Sequence, residues 1–158
     1  MFVGAEQCFK LASLTSLDLS MNPTYGNEGL KNFLTSYQAH NKVFHLQRLF
    51  LRNINLVGVS GPDGRASLEQ LCLFLSLPNC SVTALDLSGN PLLGDDGMRT
   101  FFRGVRDNKT LKYLNLSETS LTAKRSGTLI SRFLMDNKVG TCRLQTNYST
   151  LLRPLRSP

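Results

Sequence analysis

The sequence predicts an α/β solenoid, about five short parallel strands alternating with helices, and three observations carry that expectation. A leucine phrase recurs along the chain, the stretches between its copies carry apolar residues at helical spacing, and leucine itself is in excess. Leucine occupies 29 of the 158 positions, about 18% and roughly twice the share in an average soluble protein. Such an excess with a regular period marks a repeat architecture, in which no single unit can bury its own apolar edge and neighbours must stack.

The first phrase, Leu14-x-x-Leu17-x-Leu19-x-x-Asn22, places leucines at alternate positions as a half-buried strand requires. The segment after it sets Leu30, Phe33, Leu34 and Tyr37 on one helical face behind Gly26-Asn27-Glu28-Gly29. The second phrase is Leu46-x-x-Leu49-x-Leu51 with Ile54 at the Asn position, followed by Leu68, Leu71, Cys72 and Leu75 after Asp63-Gly64. The third is Val82-x-x-Leu85-x-Leu87-x-x-Asn90, whose helix carries Met98, Phe101, Phe102 and Val105 after Gly94-Asp95-Asp96-Gly97. Glycine permits the tight turn into that helix, and the aspartates supply negative charge at its start. The fourth is Leu111-x-x-Leu114-x-Leu116 with Thr119 at the Asn position, then Leu129, Ile130, Phe133 and Leu134. A weaker fifth, Val139-x-x-Cys142-x-Leu144-x-x-Asn147, closes the series. The starts at 14, 46, 82, 111 and 139 differ by 32, 36, 29 and 28 residues.

These phrases resemble the leucine-rich repeat family, and within it the long, helix-bearing repeats of the ribonuclease-inhibitor-like subtype. The likeness rests most on Leu14-Thr-Ser-Leu-Asp-Leu-Ser-Met-Asn22 and Val82-Thr-Ala-Leu-Asp-Leu-Ser-Gly-Asn90, and spans residues 4–147. It implies a right-handed solenoid with strands on the concave face and helices on the convex face. It also implies a structural ladder of Asn22, Asn90 and Asn147, each hydrogen-bonding the backbone of adjacent turns. Ile54 and Thr119 interrupt that ladder, although the Thr119 hydroxyl retains some bonding capacity. The second unit is longer than its neighbours, with the extra residues at 57–64, directly after its strand.

Residues 1–13 are expected to form the helix half of a partial repeat, and residues 14–147 the repeats. Residues 148–158 are expected to form a C-terminal cap or flexible tail. On this reading the chain starts inside a longer array. Its first residues lack the basic and apolar regions of a secretory signal, and no stretch approaches the ~20 apolar residues of a membrane span. An intracellular setting, cytoplasmic or cytoskeletal, is expected. Cys8, Cys72, Cys80 and Cys142 form no Cys-x-x-Cys pair and read as reduced, partly buried residues rather than zinc ligands. Asn-x-Ser/Thr sequons start at Asn79, Asn108, Asn115 and Asn147, and without a secretory signal they carry no functional weight.

No catalytic motif stands out: there is no nucleophile elbow, P-loop, His-Glu-x-x-His or dinucleotide-binding glycine pattern. The expectation is therefore no enzyme, no cofactor, no metal and no small-molecule substrate. Residues between the strand leucines face the open side of a sheet. They are Ser16, Asp18 and Ser20; Arg48, Phe50 and Arg52; Ala84, Asp86 and Ser88; Tyr113, Asn115 and Ser117; and Thr141, Arg143 and Gln145. Arg48, Phe50, Arg52, Tyr113 and Arg143 are the candidate contacts, being of the types that dominate interfaces. Against this, Arg48 and Arg52 could pair internally with Asp18 and Asp86.

Charge is uneven. Residues 99–158 carry 12 Lys and Arg against 3 Asp and Glu, a balance of +9, and residues 1–98 carry 6 against 8, a balance of −2. Arg99, Arg103 and Arg106 recur at i, i+4 and i+7, as along one helical face, and make a second candidate surface. Other proteins, including ones with an acidic surface, are the expected partners. Nucleic acid is less favoured because the stretch lacks interleaved aromatics. The function expected is a non-catalytic protein-interaction module or structural subunit of an assembly. The alternatives are a regulatory fragment acting on a small GTPase or the actin cytoskeleton, as the resemblance implies, and a basic subunit contacting nucleic acid or another acidic partner.

Overall fold

Each leucine phrase becomes a strand only three residues long, because the turn that follows bends the backbone out of the sheet. The computed structural model of the chain describes residues 13–40, 44–58, 62–137 and 141–143. The order is β1 (Ser16–Asp18), α1 (Gly26–His40), β2 (Arg48–Phe50), α2 (Pro62–Leu75), β3 (Ala84–Asp86), α3 (Gly94–Gly104), β4 (Tyr113–Asn115), α4 (Ala123–Asn137) and β5 (Thr141–Arg143). A short 3-10 turn, Pro91–Leu93, leads into α3. The strands make one parallel sheet in sequence order, as right-handed strand–helix–strand connections of this length allow.

The register stacks equivalent positions into rows. Ser16, Arg48, Ala84, Tyr113 and Thr141 form one row, and Asp18, Phe50, Asp86, Asn115 and Arg143 another. Between them Leu17, Leu49, Leu85 and Leu114 point into the core. The backbone ladder continues past the strands: Leu51 N–H donates to Asp86 O at 2.8 Å and Leu87 N–H to Asn115 O at 2.9 Å. The helical faces expected from sequence meet these leucines. Leu30, Leu34, Leu68, Leu71, Met98, Phe101 and Ile130 are buried in one continuous core with Leu49, Leu85 and Leu114. Between α1 and α2 the rings of Tyr37, Phe44 and Phe74 pack with centroids 5.5–5.9 Å apart.

The turns reveal two kinds of unit in alternation. Every described unit has a left-handed residue just before the ladder position: Met21 (φ 63°), Asn53 (50°), Gly89 (67°) and Glu118 (58°). In units 2 and 4 the next residue but one is left-handed too, Asn55 (62°) and Ser120 (55°). Units 1 and 3 place Pro23 and Pro91 there, and proline cannot take positive φ. Their second left-handed residue is delayed to Gly26 (54°) and Gly94 (55°), at the starts of α1 and α3. Among the four units whose turns are described, Asn at the ladder position followed by Pro marks units 1 and 3, and Ile or Thr followed by Asn or Ser marks units 2 and 4.

Two expectations shift in detail. Helix α3 ends at Gly104 with Val105 as its cap, so Arg106 lies in the turn after the helix and not along its face. Asp95 serves the next unit rather than only its own helix start, as set out below. Asn147, Gln145, Cys8 and residues 1–12 and 144–158 lie outside the described residues.

Candidate interaction surface

The sheet face turned away from the helices is built from the alternate strand residues, since successive side chains point to opposite sides. On β2, Arg48 is exposed, Phe50 half-buried and, just past the strand, Arg52 exposed. These three share one face, spaced about 7 Å apart along the backbone. Phe50 stands in the row between Asp18 and Asp86, and Arg48 in the row with Ala84 and half-buried Tyr113. The backbone of Arg143 continues the second row beside Asn115, and its side chain lies outside the described residues.

Internal pairing of the two arginines is not what the structure shows. Asp86 is engaged on both oxygens: Oδ1 accepts Ser88 N–H at 2.8 Å and Oδ2 accepts Asn115 Nδ2 at 3.0 Å. Asp18 Oδ1 accepts Ser20 N–H at 2.9 Å. Among the described residues neither Arg48 nor Arg52 forms an ion pair. The aspartates tie down the turns after their own strands, and the two cations flank an aromatic ring with their charge facing solvent.

The ladder position differs from unit to unit. Asn90 is fully buried; Nδ2 donates to Leu51 O (2.9 Å), Leu87 O (2.8 Å) and Ser88 O (3.2 Å), and Oδ1 accepts Leu56 N–H at 3.0 Å. It thus ties unit 3 back to unit 2. Asn22 is exposed and, among the described residues, donates within its own unit, to Leu19 O and Ser20 O. Thr119 is buried, and its hydroxyl donates to Leu116 O at 2.7 Å.

Three residues that pattern reading gave other or no roles link the units. Asp95, in the first turn of α3, accepts Thr122 N–H on Oδ1 (3.0 Å) and Thr122 Oγ1 on Oδ2 (2.7 Å), and also takes the Ser126 hydroxyl. It caps α4 from the neighbouring unit. Burial would raise its pKa, but the Ser126 and Thr122 hydrogen bonds and the Arg125 charge outweigh that and hold the carboxyl below its ordinary range. Asn27, at the same place in unit 1, donates to Val57 O (2.9 Å) and Ser67 Oγ (2.8 Å) and accepts Val57 N–H (2.8 Å). Asn108, read from sequence only as a sequon, is buried; it donates to Leu75 O at 2.6 Å and accepts the N–H groups of Thr110 and Leu111. The usable signal was the shared Gly-Asn/Asp-Glu/Asp-Gly string of the odd units.

On the helical side, Arg99 lies 3.8 Å from Asp96, Arg103 is exposed near the end of α3, and Arg106 reaches Asp107 at 4.0 Å from the turn. These separations, at exposed positions, contribute little to stability. Cys72 and Cys80 are free and buried. Desolvation, with a smaller contribution from Glu69, pushes the Cys72 thiol up to about 12, so it is a packing residue and not a nucleophile. Among the described residues no group of three or more His, Cys, Asp or Glu could hold a metal ion, and no helix is long and apolar enough to cross a membrane.

The Leucine Rich repeat family matches the chain over residues 10–34 and 79–102. Those segments enclose the phrases of units 1 and 3, the two units that pair Asn with Pro. No curated protein sequence matches the chain. Among solved structures, the tropomodulin C-terminal domain from Caenorhabditis elegans is similar in fold, with a TM-score of 0.62 over 94% of this chain and 85% of that one, at 11% identity. With its parallel sheet, alternating helices and two repeats matched by the leucine-rich repeat model, the chain has the fold of a leucine-rich repeat solenoid, consistent with the ribonuclease-inhibitor-like subtype.

Proposed function

We propose that the chain is a non-catalytic protein-binding module of an intracellular assembly, and that the concave sheet face holds the partner. The observation that supports this most is the Arg48–Phe50–Arg52 group: two exposed cations beside an aromatic ring, with Asp86 engaged on both oxygens and Asp18 on one, and neither in an ion pair with these arginines. An aromatic anchor with arginines around it is the usual composition of an interface hot spot. Tyr113 extends the surface across Ala84, and Arg143 is proposed to extend it at the far strand. A partner that offers a carboxylate on either side of an apolar side chain fits this arrangement. The buried free thiols of Cys72 and Cys80 suit a reducing compartment.

The test replaces Phe50 with a photo-crosslinking residue and identifies the captured companions at low and moderate salt. A fixed set of proteins, lost when Arg48→Glu and Arg52→Glu are introduced while the melting temperature stays put, is expected. Capture that is indifferent to both substitutions overturns the reading. The alternatives of a small-GTPase or actin regulator rest on the family resemblance alone. Stimulated GTP hydrolysis or altered filament growth on adding the chain would bring one of them forward.

A further inference from the structure

We propose that the outward face of α3 and α4 is a second docking surface, specific for an acidic polypeptide segment and separate from the concave face. The packing of the two helices determines which cations come together. The Phe102 and Phe133 rings meet with centroids 5.4 Å apart, which brings the next residue on α3, Arg103, beside the one that precedes Phe133 on α4, Arg132. Both are exposed. Arg99 lies one turn before Arg103, and Arg125, Thr128, Arg132 and Met135 follow one stripe of α4 at i, i+3, i+7 and i+10. This surface adds Arg132 and Arg125 to the arginines evident from helical spacing and loses Arg106, which the end of α3 moves into the turn.

The acidic side chains beside this face offset only part of it: Asp95 feels the charge of Arg125 and Asp96 faces Arg99, which leaves Arg103 and Arg132. Asp95 is filled by Thr122 and Ser126, and Asp96 stands 3.8 Å from Arg99. Among the described residues Arg103, Arg125 and Arg132 form no ion pair. Helix α2 differs: its exposed Arg65 bonds Glu69 at 2.8 Å, so that helix neutralises itself. Like charges one turn apart on a helix cost stability, and an external anion relieves that cost.

Two features select a polypeptide over nucleic acid. Two exposed apolar side chains bound the cationic face: Met135 (78% exposed) ends the α4 stripe, and Leu73 (62%) occupies on α2 the place that Arg103 holds on α3. A segment with carboxylates and interspersed apolar residues matches both. The aromatic rings of these helices, Phe101, Phe102 and Phe133, all face the core, so none is available to stack on bases.

The experiment measures fluorescence anisotropy of a labelled glutamate-rich peptide carrying a leucine on each turn, titrated with the full chain across a salt series. A duplex oligonucleotide of equal charge is measured in parallel. Arg103→Glu with Arg132→Glu is expected to weaken the peptide about tenfold or more, and Met135→Ser several-fold, whereas Arg48→Glu changes it by less than about twofold. Should the charge-reversed variant fail to fold by circular dichroism, Arg103→Gln with Arg132→Gln takes its place with the same direction expected. Peptide binding unchanged by these substitutions, or absent at low salt, overturns the proposal. So does a duplex that binds more tightly than the peptide and weakens more steeply with salt.

Discussion

Asn22 and Asn90 close nearly the same phrase, yet their side chains do different work. Asn90 is fully buried and ties the turns of its own unit to Leu51 and Leu56 of the unit before. Asn22 is exposed and, among the described residues, bonds Leu19 and Ser20 of its own unit. The same gradient runs through the leucines: Leu49, Leu85 and Leu114 are fully buried, whereas Leu14, Leu17 and Leu19 are only partly so. What a repeat residue contributes therefore depends on the neighbour it faces more than on its own identity, as expected for a linear array held by nearest-neighbour contacts.

Leucine truncation gives the largest expected contrast. Leu85→Ala should cost about 3–4 kcal/mol and Leu17→Ala about 1–2 kcal/mol, read by urea unfolding. Equal losses would show that the first unit is as well packed as the third. The ladder comes next: Asn90→Ala should cost about 2–3 kcal/mol because it strands buried backbone groups, whereas Asn22→Ala should cost under about 1 kcal/mol. A third contrast sets Asp95 against Asp96. Asp95→Asn should loosen α4 and not α1, seen as faster amide exchange confined to α4, and Asp96→Asn should not. Because the folded pKa of Asp95 is depressed, its stabilisation is complete above the unfolded value and is lost as pH falls through the folded one. The stability gap between the wild type and Asp95→Asn should accordingly narrow in acid, below about pH 4. Smallest of all, Arg52→Glu should change stability by no more than about 0.5 kcal/mol while it removes the partner captured through Phe50.

The strands, their rows and the buried helical faces were legible because periods of two and 3.6 leave direct traces in sequence. Arg48, Phe50 and Arg52 fall on one face for that reason alone. Whether they pair with Asp18 or Asp86 was not legible, since it turns on which N–H group each carboxylate takes first. The links made by Asn27 and Asp95 were hidden for another reason: their partners lie about a full unit away in sequence, and a first-turn carboxylate has a ready local explanation in the helix dipole. Arg106 misled because helical phase was carried two residues past Gly104.

The alternation of units has a consequence for how such an array can grow. Asn90 reaches backward, Asn27 and Asp95 reach forward, and all three belong to odd units. In the described residues these side-chain ties run from an odd unit to an even one. The inheritable module is thus the pair, 68 residues from the first phrase to the third and 65 from the second to the fourth. A duplication or deletion that preserves parity keeps every tie, whereas the loss of one unit sets like against like and leaves a seam.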